Sequence, residues 1–168
     1  FINNYIYSSN RYARNLMKIG FEPPYTGRIA FNPRAIYNIS GQFLCEQFAL
    51  IAPGMPQTAS KIGTHYTHVA IDGEPTQTTQ LYNTMIAHAF FEKDHLAIID
   101  AGLTALDPES EIHQIVSDVK KWYLLNRNDW RATRQAIKSK YWSGERGGPG
   151  GGNGYRTITA VTVAALLH

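Results

Sequence analysis

One stripe of apolar side chains constrains this chain more than any other feature. Ile112, Ile115, Val116, Val119, Trp122 and Tyr123 recur at i, i+3, i+4, i+7, i+10 and i+11. An α-helix gathers that spacing on one face, whereas a strand sends alternate residues to opposite faces. Leu81, Tyr82, Met85, Ile86, Ala89 and Phe90 make a second helical stripe. No run of apolar/polar alternation accompanies them. The only Asn-Gly pair, Asn153-Gly154, closes a glycine-rich loop instead of joining two strands. The expected fold class is therefore all-α, a compact multi-helix bundle.

Turn signals place the remaining helices. Residues 1–19 read as a helix closed by Gly20. Pro23, Pro24, Gly27 and Pro33 make residues 21–38 an irregular connection. Ser40 is the expected cap of a helix reaching about residue 52, ended by Pro53-Gly54. Pro56 suits the first turn of the next, which is expected to reach about residue 71 and stop at Asp72-Gly73. Pro75 opens the helix of the second stripe, and a short helix follows over about 95–106. Asp129 can cap a helix carrying Trp130, Ile137 and Tyr141.

Composition narrows the class. The chain has 168 residues, 43% of them hydrophobic and 17% charged, which suits a globular domain and argues against bulk disorder. Nothing approaches the ~18 apolar residues of a membrane span. A net charge of +3, scattered along the chain, does not make a nucleic-acid surface. Cys45 stands alone, so no internal disulfide forms. The chain begins at Phe1, with no Met and no leader. It ends in residues 160–168, a helical run without the usual closing Gly, Asn or Lys/Arg. The expectation is one domain over 1–168, the interior portion of a longer one.

Three places can carry chemistry. The helix over residues 41–51 is apolar nearly all round and reads as buried, with Gln42 and Glu46 four apart on one face. A buried carboxylate is costly unless paired or used, so Glu46 is a candidate; an Arg partner or a solvated edge is the alternative. His65, His68 and Asp72 fall at i, i+3 and i+7 along one helical stripe. Two imidazoles and a carboxylate can ligate a metal, although the His-Glu-x-x-His signature is missing; a hydrogen-bonding role at the helix end is the alternative. Third, seven of the 11 residues in 144–154 are glycine, and a helix follows. Exposed backbone amides and a helix N-terminus attract anions, whereas a ligand-free solvent loop is the alternative. The loop has neither the Gly-Lys-Ser/Thr of a phosphate loop nor the preceding strand of a dinucleotide fingerprint. Trp122, Trp130 and Trp142 are expected in core packing.

The order of these segments resembles the ADP-ribosyl-glycohydrolase superfamily. The resemblance runs through Ser40-Gly41-Gln42-Phe43, Ala52-Pro53-Gly54-Met55-Pro56, Tyr66-Thr67-His68 and Asp72-Gly73-Glu74. It continues through residues 82–90, Asp100-Ala101-Gly102-Leu103, residues 129–133 and the glycine loop leading into 157–167. It covers the chain from about Pro24 onward, and order and spacing carry more of it than any single motif.

The resemblance implies an all-α hydrolase that cleaves the bond between ADP-ribose, or a related riboside, and its acceptor. It implies a pair of Mg²⁺ ions held by Asp and Thr side chains. Neither of the family's two acidic motifs occurs here, so the metal ligands are expected outside this chain. Substrate binding is expected at Gln42, His68, Gly152, Asn153, Gly154, Tyr155 and Arg156, with Glu46 catalytic. The implied partner is an ADP-ribosylated protein or a small ADP-riboside, with no nucleic acid and no membrane. A cytoplasmic location is expected, or a periplasmic or secreted one if a leader precedes Phe1. A non-enzymatic, crystallin-like ligand-binding or structural relative is the alternative function.

Overall fold

A computed structural model of the chain describes residues 6, 8–37, 39–142 and 154–168. The helices are α1 (Ser8–Lys18), α2 (Ser40–Leu50), α3 (Pro56–Thr67), α4 (Glu74–Ala89), α5 (His95–Thr104), α6 (Glu111–Leu125), α7 (Trp130–Tyr141) and α8 (Gly154–Leu167). Two short 3-10 turns, Tyr25–Gly27 and Ala35–Tyr37, interrupt the proline-rich connection. No strand occurs among the described residues, so the class is all-α as expected. Among them, too, no helix is long and apolar enough to cross a membrane.

The helix ends follow local chemistry. Asp94, Ser110 and Asp129 each accept a backbone N–H from the first turn of α5, α6 and α7. Gly20 and Gly54 take φ of +95° and +70°, the left-handed backbone that stops α1 and turns α2 into α3. Two boundaries differ from expectation. Ile39, not Ser40, occupies the cap position of α2, and no side chain caps it. α3 ends at Thr67 rather than near residue 71, with His68 as its C-cap.

Packing divides into two parts that share α4. The first is aliphatic: Leu81 and Met85 of α4 meet Ile98 and Ile99 of α5, Ile112, Ile115, Val116 and Val119 of α6, and Ala160 and Val163 of α8. The α6 stripe is wholly buried at its first four positions. The second part, α2 against α3 and α4, is built from small residues: Ala49, Ala52, Ala59 and Ala87. Here a Cβ on Gly41 would stand 2.2 Å from Thr79 Oγ1, and one on Gly63 would stand 2.0 Å from Asn83 Nδ2. Glycine is what lets these helices approach so closely.

Two burial expectations fail. α2 is not enclosed, since Phe43, Leu50 and Ile51 are 66%, 58% and 67% exposed. Of the tryptophans, only Trp122 packs against the core; Trp130 and Trp142 lie half-open on α7 and at its end. In the α4 stripe, burial fades after Ala87, and Phe90 is exposed.

Candidate functional site

A cleft of about 700 Å³ opens where α3 ends, α4 and α6 begin and α8 starts. Its walls are chemically mixed. Thr64 and His68 come from the end of α3, Asp72 and Gly73 from the turn after it. Glu74, Thr76, Gln77 and Gln80 come from α4, Asp107 and Ser110 from the approach to α6, and Tyr155 from the first turn of α8. Ile29 and Ile36 supply an apolar edge.

The carboxylates are already engaged with backbone. Asp72 accepts from Ile29 N at 3.1 Å through one oxygen and from Gly73 N at 2.9 Å through the other. Glu74 Oε2 accepts from Ile112 N at 3.2 Å, joining α4 to α6. Asp107 Oδ1 accepts from Glu109 N, and Asp107 N donates to Gln77 Oε1. These groups hold the rim of the cleft in place.

His68 Nδ1 lies 3.1 Å from Ile71 O. A carbonyl can only accept, so Nδ1 carries the proton, and in the neutral ring Nε2 remains an acceptor. Asp72 Oδ1 stands 4.0 Å from the same nitrogen. The helix-end role for His68 is therefore the one observed. His65 is exposed and stacks edge-on against Tyr66. Because α3 stops at Thr67, the expected His65/His68/Asp72 stripe does not form.

Tyr155 is buried and donates its hydroxyl to Glu111 Oε2 at 3.2 Å. Burial raises its phenol, and the Glu111 charge and hydrogen bond raise it further, so the group stays protonated. Arg156 pairs with the other Glu111 oxygen. Gln42 reaches across from α2, donating through Nε2 to Tyr155 O at 3.0 Å and Thr159 Oγ1 at 2.7 Å. It is a brace behind the cleft rather than part of its lining. Burial, then the neighbouring Glu46 charge, pushes the Cys45 thiol on α2 up to about 12, so it is an inert packing group.

Of the residues expected at the site, His68 and Tyr155 line the cleft, Gly154 opens the helix that bounds it, and Arg156 stands beside it in an ion pair. Gly152 and Asn153 lie outside the described residues, with most of the glycine loop. Glu46 is exposed on α2 and is absent from the cleft lining. The burial that made it a candidate does not hold, because the face it shares with Phe43 and Leu50 is open. Thr64, Thr76, Gln77, Gln80 and Ser110 were not anticipated. Their only signal is a density of hydroxyl and amide side chains on the inner turns of α3 and α4, which also suits ordinary helix packing.

Thr64 Oγ1, Thr76 Oγ1 and Gln80 Oε1 are buried and have no hydrogen-bond partner among the described residues. Seven other buried polar atoms among the described residues, Tyr82 Oη and both Asn83 amide atoms included, are likewise without a partner. The cleft does not fit a metal pair. No cluster of three or more His, Cys, Asp or Glu among the described residues can hold a metal ion, and the carboxylates present are spent on backbone N–H groups.

Comparison with protein-family models, with curated proteins and with solved structures found no match for this chain.

Proposed function

We propose that this chain contributes the substrate wall of a glycohydrolase acting on ADP-ribose or a related riboside. The observation that supports it best is the meeting of His68, Tyr155 and the start of α8 in one chemically mixed cleft of about 700 Å³. These positions are far apart in sequence and are those the family resemblance selects. The cleft is large enough for a drug-sized ligand.

The chemistry on offer is recognition. The polar side chains that line the cleft, Gln77, Gln80 and Ser110 among them, suit sugar hydroxyls, which both donate and accept. His68 Nε2 adds an acceptor. The first turn of α8 directs its backbone N–H groups toward its N-terminal end, where negative charge is favoured. Hydrolysis of a riboside breaks the bond from the anomeric carbon to the acceptor and replaces it with one from water, through an oxocarbenium-like state. Tight holding of the ribose is what such a wall supplies to that step. The Mg²⁺ pair that the resemblance implies would be held by residues outside this chain.

The test is calorimetric titration of ADP-ribose into the chain, with and without Mg²⁺. One-to-one binding is expected, weakened about tenfold by Gln80→Leu, the loss of one hydrogen bond from the cleft wall. Absence of heat under both conditions refutes the reading. Binding by the intact protein without release of acceptor from an ADP-ribosylated peptide, read by mass spectrometry, favours the non-enzymatic relative.

A further inference from the structure

We propose that the groove between α7 and α8 is a docking site for an acidic amphipathic helix of a partner protein. The two helices run antiparallel. His168 Nε2 lies 3.0 Å from Thr133 Oγ1 near one end, and Thr157 Oγ1 donates to Tyr141 O at 3.4 Å near the other. Their outer surfaces do not close over this seam. Two adjoining hollows of about 270 and 210 Å³ are left, sharing Arg134, Ile137 and Val161 as their common wall.

Trp130 stands at one end of the groove and Trp142 at the other, 50% and 40% exposed, while Val161 between them is 50% exposed. Half-open tryptophans beside apolar hollows are the usual anchors of a protein interface. The hollows also have a spacing. Along α7 the first hollow is bordered by Trp130, Arg134 and Ile137 and the second by Arg134, Ile137 and Lys138, so their centres lie about three positions apart, roughly 4 Å at 1.5 Å per residue. That matches the rise between i and i+3, so side chains at i and i+3 of an incoming helix enter the two hollows together.

Charge selects the occupant. Arg134 and Lys138 border the groove, both exposed, and neither has an ion-pair partner among the described residues. Arg131 stacks over Trp130 with its guanidinium carbon 4.6 Å from the ring centroid. Across the seam, residues 154–168 contain no Asp or Glu. Asp129 caps α7, and Asp118 is bound to Lys140 and Tyr141, so neither offsets the rim. The rim is therefore basic around an apolar floor. Glutamates flanking the apolar face of the incoming helix complete it, and lysines there are rejected.

Two synthetic amphipathic peptides of 16 residues test this on the full chain. They share leucines at i, i+3 and i+7 and differ only in flanking glutamates or lysines. Fluorescence anisotropy is the readout. The acidic peptide is expected to bind and the basic one not. Arg134→Glu/Lys138→Glu, both at exposed positions, is expected to invert that preference, with a change of about tenfold or more in each direction. Val161→Gln is expected to weaken the acidic peptide while leaving ADP-ribose titration unchanged, and raised salt should weaken it too. Equal affinity for both peptides, no binding of either, or indifference to Val161→Gln overturns the proposal. So does sedimentation showing that the groove is filled by a second copy of the chain.

Discussion

Gly27→Ala adds a single methyl group where the proline-rich connection presses on the end of α3 at the wall of the cleft. The added Cβ would stand 1.9 Å from His68 O, 2.7 Å from its carbonyl carbon and 3.1 Å from Ala70 N. All three are backbone atoms, so no rotamer change relieves the contact. A carbon–oxygen contact settles at about 3.3–3.6 Å, so the two segments must part by roughly 1.5 Å. That separation breaks the Thr26 Oγ1 to Val69 O bond, now 2.7 Å, and lengthens Ile29 N to Asp72 Oδ2 from 3.1 Å. Two lost hydrogen bonds at about 1 kcal/mol each, with residual strain of about 1 kcal/mol, give a loss near 3 kcal/mol. For a chain of this size that lowers the melting temperature by about 6–12 °C. Urea denaturation with tryptophan fluorescence measures it directly, as a lower midpoint at unchanged slope. ADP-ribose titration on the folded variant should weaken as well, because His68 and Asp72 move. A loss below about 1 kcal/mol would show that the connection does not press on the α3 end as described.

Two further outcomes follow from the same geometry. Gln42→Leu removes the tie from α2 to Tyr155 O and Thr159 Oγ1 and leaves the fully buried Thr159 hydroxyl without that donor. A cost of about 1–3 kcal/mol is expected by urea denaturation, with faster amide exchange in the first turns of α8; unchanged exchange there removes Gln42 from its bracing role. Asp118 gives a pH signature. Burial alone would raise its carboxyl, but Lys140, Tyr141 and Gln114 more than reverse this and hold it below the usual range. Its stabilisation is then present above the unfolded value of about 3.9 and is lost as pH falls through the lower folded value. Asp118→Asn should flatten the acid limb of the stability profile. A parallel profile from pH 2 to 6 would show that the cluster contributes nothing.

Where a rule rests on local backbone chemistry, it could be read from residue order. The α6 stripe, the cap at Asp129, Pro56 in the first turn of α3 and the stop at Gly20 are all of that kind. Burial of a whole helix is not. α2 is apolar on nearly every side, yet its Phe43–Leu50 face meets no neighbour, because periodicity reports which residues tolerate burial and not how many faces find a partner. The same gap misplaced Glu46. His68 was visible as a candidate, but the approach of Gly27 to His68 O at the end of α3, a contact 41 residues apart, is carried by no local pattern. Thr64, Thr76 and Gln80 were hidden because a threonine or glutamine in a helix looks alike whether it faces a cleft or a neighbouring helix.

The close approach of α2, α3 and α4 sets how freely different parts of this protein can change. In the aliphatic part, Ile112, Ile115, Val116 and Val119 can trade methyl groups with one another at modest cost. At Gly41 and Gly63 even one carbon collides with Thr79 or Asn83. α3 and α4, which carry Thr64, Glu74, Thr76, Gln77 and Gln80 of the cleft wall, thus rest on packing with little room for adjustment. Variation can accumulate along α5 and α7 and on α6 and α8 away from Asp107, Ser110 and Tyr155 while the wall keeps its shape. Retuning the cleft for another ligand then has to come from side chains that point into it, such as Thr76, Gln77 and Gln80, and not from shifting the helices that bear them.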